Sequence, residues 1–158
     1  MSEDNLKDKI IELLPKTSLF GGVSREDVEL FIESLGEKSY RVGENIFEEG
    51  ESPGDSYLLL EGEVKLTVAG RRLFKFGPGS VFGVASPIGI QKQIVTATAH
   101  TDIVLAVIPK MTLYLLEKQN PRLFGKIILN EARDLARSLK AMKEIIMDYI
   151  LMEEEGNL

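Results

Sequence analysis

The chain has 158 residues, 44% hydrophobic and 28% charged, a balance that suits one folded domain with a substantial core. Its 25 acidic against 19 basic side chains give a formal charge of −6, which argues against a nucleic-acid surface and the dense basic face it needs. There is no cysteine and one histidine, His100, so disulfides, thiolate nucleophiles, iron–sulfur ligation and His-paired metal sites are excluded.

The start, MSEDNLKDK, is too acidic and polar for a signal peptide, and no apolar run approaches the ~20 residues of a membrane span. A cytoplasmic protein that meets no membrane is expected. Asp4 to Leu14 carries Leu6, Ile10, Ile11, Leu13 and Leu14 at helical spacing and is ended by Pro15. Ser24-Arg25-Glu26-Asp27 reads as an N-cap with an acid at N3. Val28, Leu30, Phe31, Ile32 and Leu35 continue that helix, and Gly36 is expected to stop it.

From Glu37 to Pro109 the period shortens. Tyr40-Arg41-Val42, Asn45-Ile46-Phe47, Ser56 to Leu60, Glu63 to Val68, Arg72 to Phe76, Ser80-Val81-Phe82, Gln93 to Ala99 and Ile103 to Ile108 are β-rich runs between glycine turns. Such a series indicates a sandwich or barrel. Pro53-Gly54 suits the centre of a type II turn, and Ala69-Gly70-Arg71 a tight hairpin. Phe47, Leu58, Leu60, Val64, Leu66, Phe82, Val95 and Leu105 are expected to point inward. Between the last strands, Phe82-Gly83 is followed by small residues, where a missing side chain lets backbone N–H groups approach an anion.

After Pro109 the helical period returns. Met111 to Leu116 forms a short helix, Asn120-Pro121 restarts the chain, and one helix then runs to about Met152. Ile128, Ala132, Leu135, Leu139, Met142, Ile146 and Tyr149 alternate in steps of four and three, an a/d stripe sustained over about three heptads. This predicts an isologous homodimer seam. Glu144 to Met152 is apolar almost all round, which a two-stranded seam does not need, so a further contact with a protein partner or with the pocket mouth is expected there.

Several pieces, taken in order, resemble the cyclic-nucleotide-binding domains of the Crp/Fnr superfamily of bacterial regulators. Tyr40-x-x-Gly43-Glu44-x-Ile46-x-x-Glu49-Gly50-Glu51 resembles the family's first hairpin, and Asp55 to Val64 its next strand pair. Gly79-Ser80-Val81-Phe82-Gly83 resembles the opening of its phosphate-binding cassette, and Thr98 to Leu105 the strand pair after it. The resemblance implies a mainly β fold, an antiparallel jelly-roll barrel over residues 37–109. Helices over 1–36 and 110–155 would flank it, the last of them dimerising, in a single domain spanning 1–158. It places the ligand site at Phe82, Gly83, Val84, Ala85, Ser86, Lys92, Gln93 and Ile94.

Two departures stand at that site. The family's nucleotide binders follow Phe-Gly with a glutamate for the ribose 2′-hydroxyl, where this chain has Val84. They place an arginine further along for the cyclic phosphate, where this chain has Gln93, with Lys92 beside it as a substitute point charge. The chain also stops at Leu158, where the family's regulators continue into a helix-turn-helix domain, so no direct DNA binding is expected. No Ser/His/Asp set can be assembled, and a metal enzyme of the cupin kind needs more than one histidine. The expected function is a non-catalytic sensor domain with a degenerate cassette and no cofactor or metal, acting through dimerisation and a protein partner. The alternative is a genuine receptor for a cyclic nucleotide or other small anion in an altered pocket.

Overall fold

A computed structural model describes residues 3–156, with the side chains of all of them except Glu3, Asp4, Ser86 and Pro87. The amphipathic start forms α1 (Glu3–Leu13), which passes into a single 3₁₀ turn (Leu14–Lys16) at Pro15. Ser24 caps α2 (Arg25–Ile32): its Oγ accepts from the Asp27 N–H at 3.2 Å, as the capping pattern predicts. The helix stops at Ile32, ahead of Gly36. The Ser34 hydroxyl donates to the Phe31 carbonyl at 2.6 Å and competes with helix continuation. Gly36 then opens the first strand instead of ending a helix.

The strands are β1 (Gly36–Tyr40), β2 (Asn45–Phe47), β3 (Ser56–Glu61), β4 (Val64–Val68), β5 (Arg71–Phe76), β6 (Val81–Phe82), β7 (Thr96–Ala99) and β8 (Ile103–Ile108). They pair antiparallel in two sheets, ordered β1-β8-β3-β6 and β2-β7-β4-β5. The jelly-roll layout is therefore a two-sheet sandwich, and its ladders do not close into a barrel. The first strand lies earlier than Tyr40-Arg41-Val42 because side chains occupy those amides. The Arg41 N–H donates to Glu44 and the Val42 N–H to Asp102, each at 2.8 Å. No type II turn forms at Pro53-Gly54, since Gly54 does not take positive φ.

Two cores flank one sheet. Between the sheets lie Phe47, Tyr57, Leu59, Val64, Phe82, Val95, Ala97, Ala99, Ile103 and Leu105. On the outer face of β1-β8-β3-β6, Leu58, Leu60, Ala106 and Ile108 pack against Leu6, Ile10, Phe20, Phe31, Leu123 and Ile127 of the helical layer. β3 is thus buried on both faces, which explains its unbroken Tyr57-Leu58-Leu59-Leu60 run. Leu58 and Leu60 are fully or nearly buried as expected, but they face the helices and not the sandwich interior. Leu66 is only half-buried, because it lines a cavity described below.

α3 (Ala85–Gly89) is a short turn of helix after β6, and α4 (Lys110–Gln119) follows β8. α5 (Pro121–Gly156) then runs for 36 residues, about 54 Å at 1.5 Å per residue. Its first turns are tied to the loop before α2. Asn130, 6% exposed, donates from Nδ2 to the carbonyls of Leu19 at 3.0 Å and Gly21 at 2.9 Å. The Lys126 ammonium donates to the Gly22 carbonyl at 2.8 Å. Replacing Asn130 by alanine leaves the buried Leu19 carbonyl without this donor and should cost about 1–3 kcal/mol of stability. Urea denaturation followed by circular dichroism reads this directly, and an unchanged midpoint would show that these bonds do not hold the helix.

Candidate functional site

Where α5 crosses the end of the sandwich it roofs a cavity of about 530 Å³. This is within the range of small-molecule sites, roughly 300–1,000 Å³. The walls come from four places: β2, β4 and β5 (Phe47, Leu66, Phe74, Phe76); the β5–β6 turn and cassette (Gly79 to Ala85); residues 93–95; and α5 from Glu131 to Met142. Two glycines let these walls approach. Gly79 sits at φ +96, and a Cβ there would lie 2.6 Å from the Lys16 carbonyl oxygen. Gly83 sits at φ +80, with a Cβ position 3.2 Å from the Asp55 carbonyl oxygen. Both conformations disfavour side-chain-bearing residues.

The floor is aromatic. Phe82 packs against Tyr57 and Phe76, each at 5.3 Å between ring centroids, and against Phe47 at 6.1 Å. Burial among these rings pushes the Tyr57 hydroxyl up to about 12, so it stays protonated. The backbone of Gln93 is pinned on both sides: its N–H donates to Glu51 and its carbonyl accepts from the Gly50 N–H, each at 2.8 Å.

Of the cassette positions predicted from sequence, Phe82, Gly83, Val84, Ala85, Gln93 and Ile94 line the cavity. Val84 and Gln93 are both 6% exposed. Lys92 is exposed and is not among the residues that line the cavity. The Ser86 side chain lies outside the described residues. The cassette wall, residues 82–85 and 93–95, therefore carries no charged side chain.

The charged groups enter from elsewhere, and the sequence did not announce them. Glu131 and Asp134 of α5 line the roof, with Arg137 beside them and Lys16, Ser18 and Lys75 at the rim. The Ser18 hydroxyl donates to Asp134, and Arg137 donates to the other oxygen of the same carboxylate. Glu131 is 4% exposed, and its Oε1 is buried with no hydrogen-bond partner. Burial, and secondarily the neighbouring Asp134 charge, push the Glu131 carboxyl up to about 7.

Along the rest of α5, the proposed seam residues lie about 100° round the helix from the face that meets the body. Leu123, Ile127, Asn130 and Glu131 are buried on the body. Ile128 is half-buried and Ala132 exposed, while Leu139, Ile146 and Tyr149 are 70%, 57% and 49% exposed. Leu135 and Met142 lie at the border and also line the cavity. From Lys143 to Gly156 every residue except Ile145 is exposed.

A two-sheet antiparallel sandwich with a cassette turn and a roofing helix is the architecture of the cyclic nucleotide-binding domains. The chain belongs to the cyclic nucleotide-binding domain family, whose profile matches residues 37–120. It is 32% identical over 97 residues to the cAMP-dependent protein kinase regulatory subunit of Eremothecium gossypii, covering 61% of this chain and 21% of that one. The chain thus spans about a fifth of that relative's length. It is similar to the Thermus thermophilus catabolite activator protein (28% identity, TM-score 0.71), covering 85% of this chain and 63% of that one. It shares its fold with a cyclic nucleotide-binding domain from Methylobacillus flagellatus KT (23% identity, TM-score 0.80), covering 92% and 85% of the two chains. Among the described residues no helix is long and apolar enough to cross a membrane, and no cluster of His, Asp or Glu suits a metal ion.

The buried Glu131 makes a testable demand on stability. Its folded pKa lies above the unfolded value of 4.5, so the folded state binds more protons between these two values. Stability therefore falls as pH rises from about 4.5 through 7, and the penalty is on the order of 1–3 kcal/mol above that window. Glu131→Gln should raise the melting temperature at pH 8 and change it little at pH 5. Equal effects at both pH values would show that Glu131 is not buried as a carboxylate.

Proposed function

We propose that this chain is a non-catalytic regulatory domain whose cassette no longer holds a cyclic phosphate, and that it acts through self-association and a protein partner. The observation that carries this reading is the pair Val84 and Gln93, buried in the cavity wall where a cyclic phosphate and ribose would need charge. A phosphate that leaves water without a paired cation is costly to bury. Truncating one partner of a buried charged pair costs about 2–5 kcal/mol, on the order of thirty- to several-thousand-fold in affinity. Val84 cannot accept a hydrogen bond from a ribose hydroxyl, and Gln93 offers a neutral amide in place of a charged fork. Regulatory function is supported by the relatives, a kinase regulatory subunit and a catabolite activator, neither of which is named as an enzyme. A cytoplasmic setting fits the same reading.

The exposed stripe from Ala132 to Tyr149 supports a dimer through α5, and the apolar segment beyond Lys143 supports a contact outside that seam. A receptor for a small molecule in the altered cavity is the second reading, favoured by the cavity's volume.

Titration calorimetry with cyclic AMP and cyclic GMP is expected to give weak or no binding. A sub-micromolar dissociation constant for either nucleotide would overturn the reading. Installing Val84→Glu with Gln93→Arg should strengthen binding if the cassette backbone keeps the family's shape. For the seam, Leu135→Asp with Leu139→Asp should convert a dimer to monomers on light scattering. A wild type already monomeric at tens of micromolar would exclude the seam.

A further inference from the structure

We infer that the cavity under α5 takes a small, flat, uncharged aromatic molecule with a lactam or carboxamide edge, which pairs with the side-chain amide of Gln93. The inference rests on the second reading above, a small-molecule receptor in the altered cavity, and it is independent of dimerisation. Gln93 is 6% exposed and lines the cavity. Its main-chain N–H and carbonyl are taken up by Glu51 and Gly50. Its side-chain amide makes no hydrogen bond among the described residues. Among those residues, Glu131 Oε1 is the one buried side-chain polar atom that is both unpaired and sealed from solvent. The Gln93 amide is unpaired and is not sealed, so it keeps accessible surface on a residue that forms the cavity wall. A primary amide carries an acceptor oxygen and two N–H donors, and only water or a ligand can meet them here.

The charges round the cavity select neither sign of ligand. Lys16, Lys75 and Arg137 line it together with Glu131 and Asp134. Asp134 is held by the Ser18 hydroxyl and by Arg137. Lys75 of β5 pairs with Glu63 at 3.4 Å, and Lys16 is exposed at the rim. The cassette wall that includes Gln93 has no charged side chain, so an ionic head group placed there loses hydration and gains no counter-charge. A neutral head group escapes that cost. A lactam or carboxamide edge sets a donor beside an acceptor, and a glutamine amide offers the complementary pair. Phe47, Phe76 and Phe82 line the same cavity and supply aromatic faces for a flat body.

The test titrates carbostyril, an uncharged two-ring lactam, into the full chain by calorimetry. Three probes of similar shape serve as controls: N-methylcarbostyril, which lacks the N–H; quinaldate, an anion; and N-methylquinolinium, a permanent cation. Carbostyril is expected to bind with a Kd below about 1 mM, a modest demand for a ligand of its size. It should bind about tenfold tighter than each control, the scale of a hydrogen bond made in a shielded site. Gln93→Met keeps the side chain's length and removes the amide. It should weaken carbostyril about tenfold and leave N-methylcarbostyril unchanged, a difference that a general loss of packing does not produce. Ser138→Trp adds bulk to the cavity from an exposed position of α5 and should abolish binding. Thermal melts confirm that both variants are folded, and the comparison of the two lactams on the wild type stands without them. Equal affinity for the two lactams, undiminished binding in either variant, or no heat from carbostyril at millimolar concentrations would each overturn the inference. A preference for quinaldate or N-methylquinolinium overturns it while keeping the small-molecule reading. Silence from all four probes and from cyclic AMP counts against both.

Discussion

The two hydrogen bonds from Asn130 to the carbonyls of Leu19 and Gly21 tie α5 to the loop before α2, within the helical layer that packs on the sandwich. They join residues more than a hundred positions apart in the chain, and the bond to Leu19 is buried. Because a helix is stiff over a few turns, fixing Asn130 also fixes Glu131 beside it and Asp134 one turn further on. The roof of the cavity follows from that anchoring. Leu123 and Ile127 supply the apolar area that makes the attachment worthwhile, and Asn130 supplies its register.

The electrostatic character of the cavity then follows from which elements contribute charge. In this chain the cassette contributes none; Lys16 and Lys75 stand at the rim, and the roof contributes Arg137 and two carboxylates. One is neutralised by Arg137 and a hydroxyl, and the other is pushed towards protonation by burial. A low-dielectric pocket magnifies such differences. The fold is shared with relatives of known regulatory role, while the site's chemistry is set by these particular side chains.

Much of the fold was readable in local pattern. The Ser24 cap, most of the strand runs and the restart at Pro121 are short-range signals that appear where the residues place them, while the first strand lies earlier and the run from Gln93 is a strand only from Thr96. The failures share one cause. Arg41 and Val42 have strand-like character, but distant or neighbouring carboxylates captured their amides. Leu58 and Leu60 alternate correctly, yet alternation cannot say which of two cores a face meets when both faces of β3 are buried. At the site, the cassette residues were legible because they are contiguous and carry a family pattern. Glu131 was not, because on a helix rich in charged residues nothing local distinguishes a buried glutamate from a solvated one. Lys92, beside Gln93, is exposed and lies outside the residues that line the cavity.

The same helix serves the cavity and the proposed seam, and the two uses overlap at Leu135 and Met142. These residues line the cavity on one side and belong to the exposed stripe on the other. If a second copy of α5 packs on that stripe, it must settle against side chains whose positions depend on what fills the cavity. Well-packed side chains do not deform continuously, so a ligand that shifts Leu135 changes the surface offered to the partner helix. Linkage makes the relation reciprocal: any ligand that tightens the seam must itself bind more tightly to the dimer. The coupling needs no separate transmitting element, because the contact residues are shared.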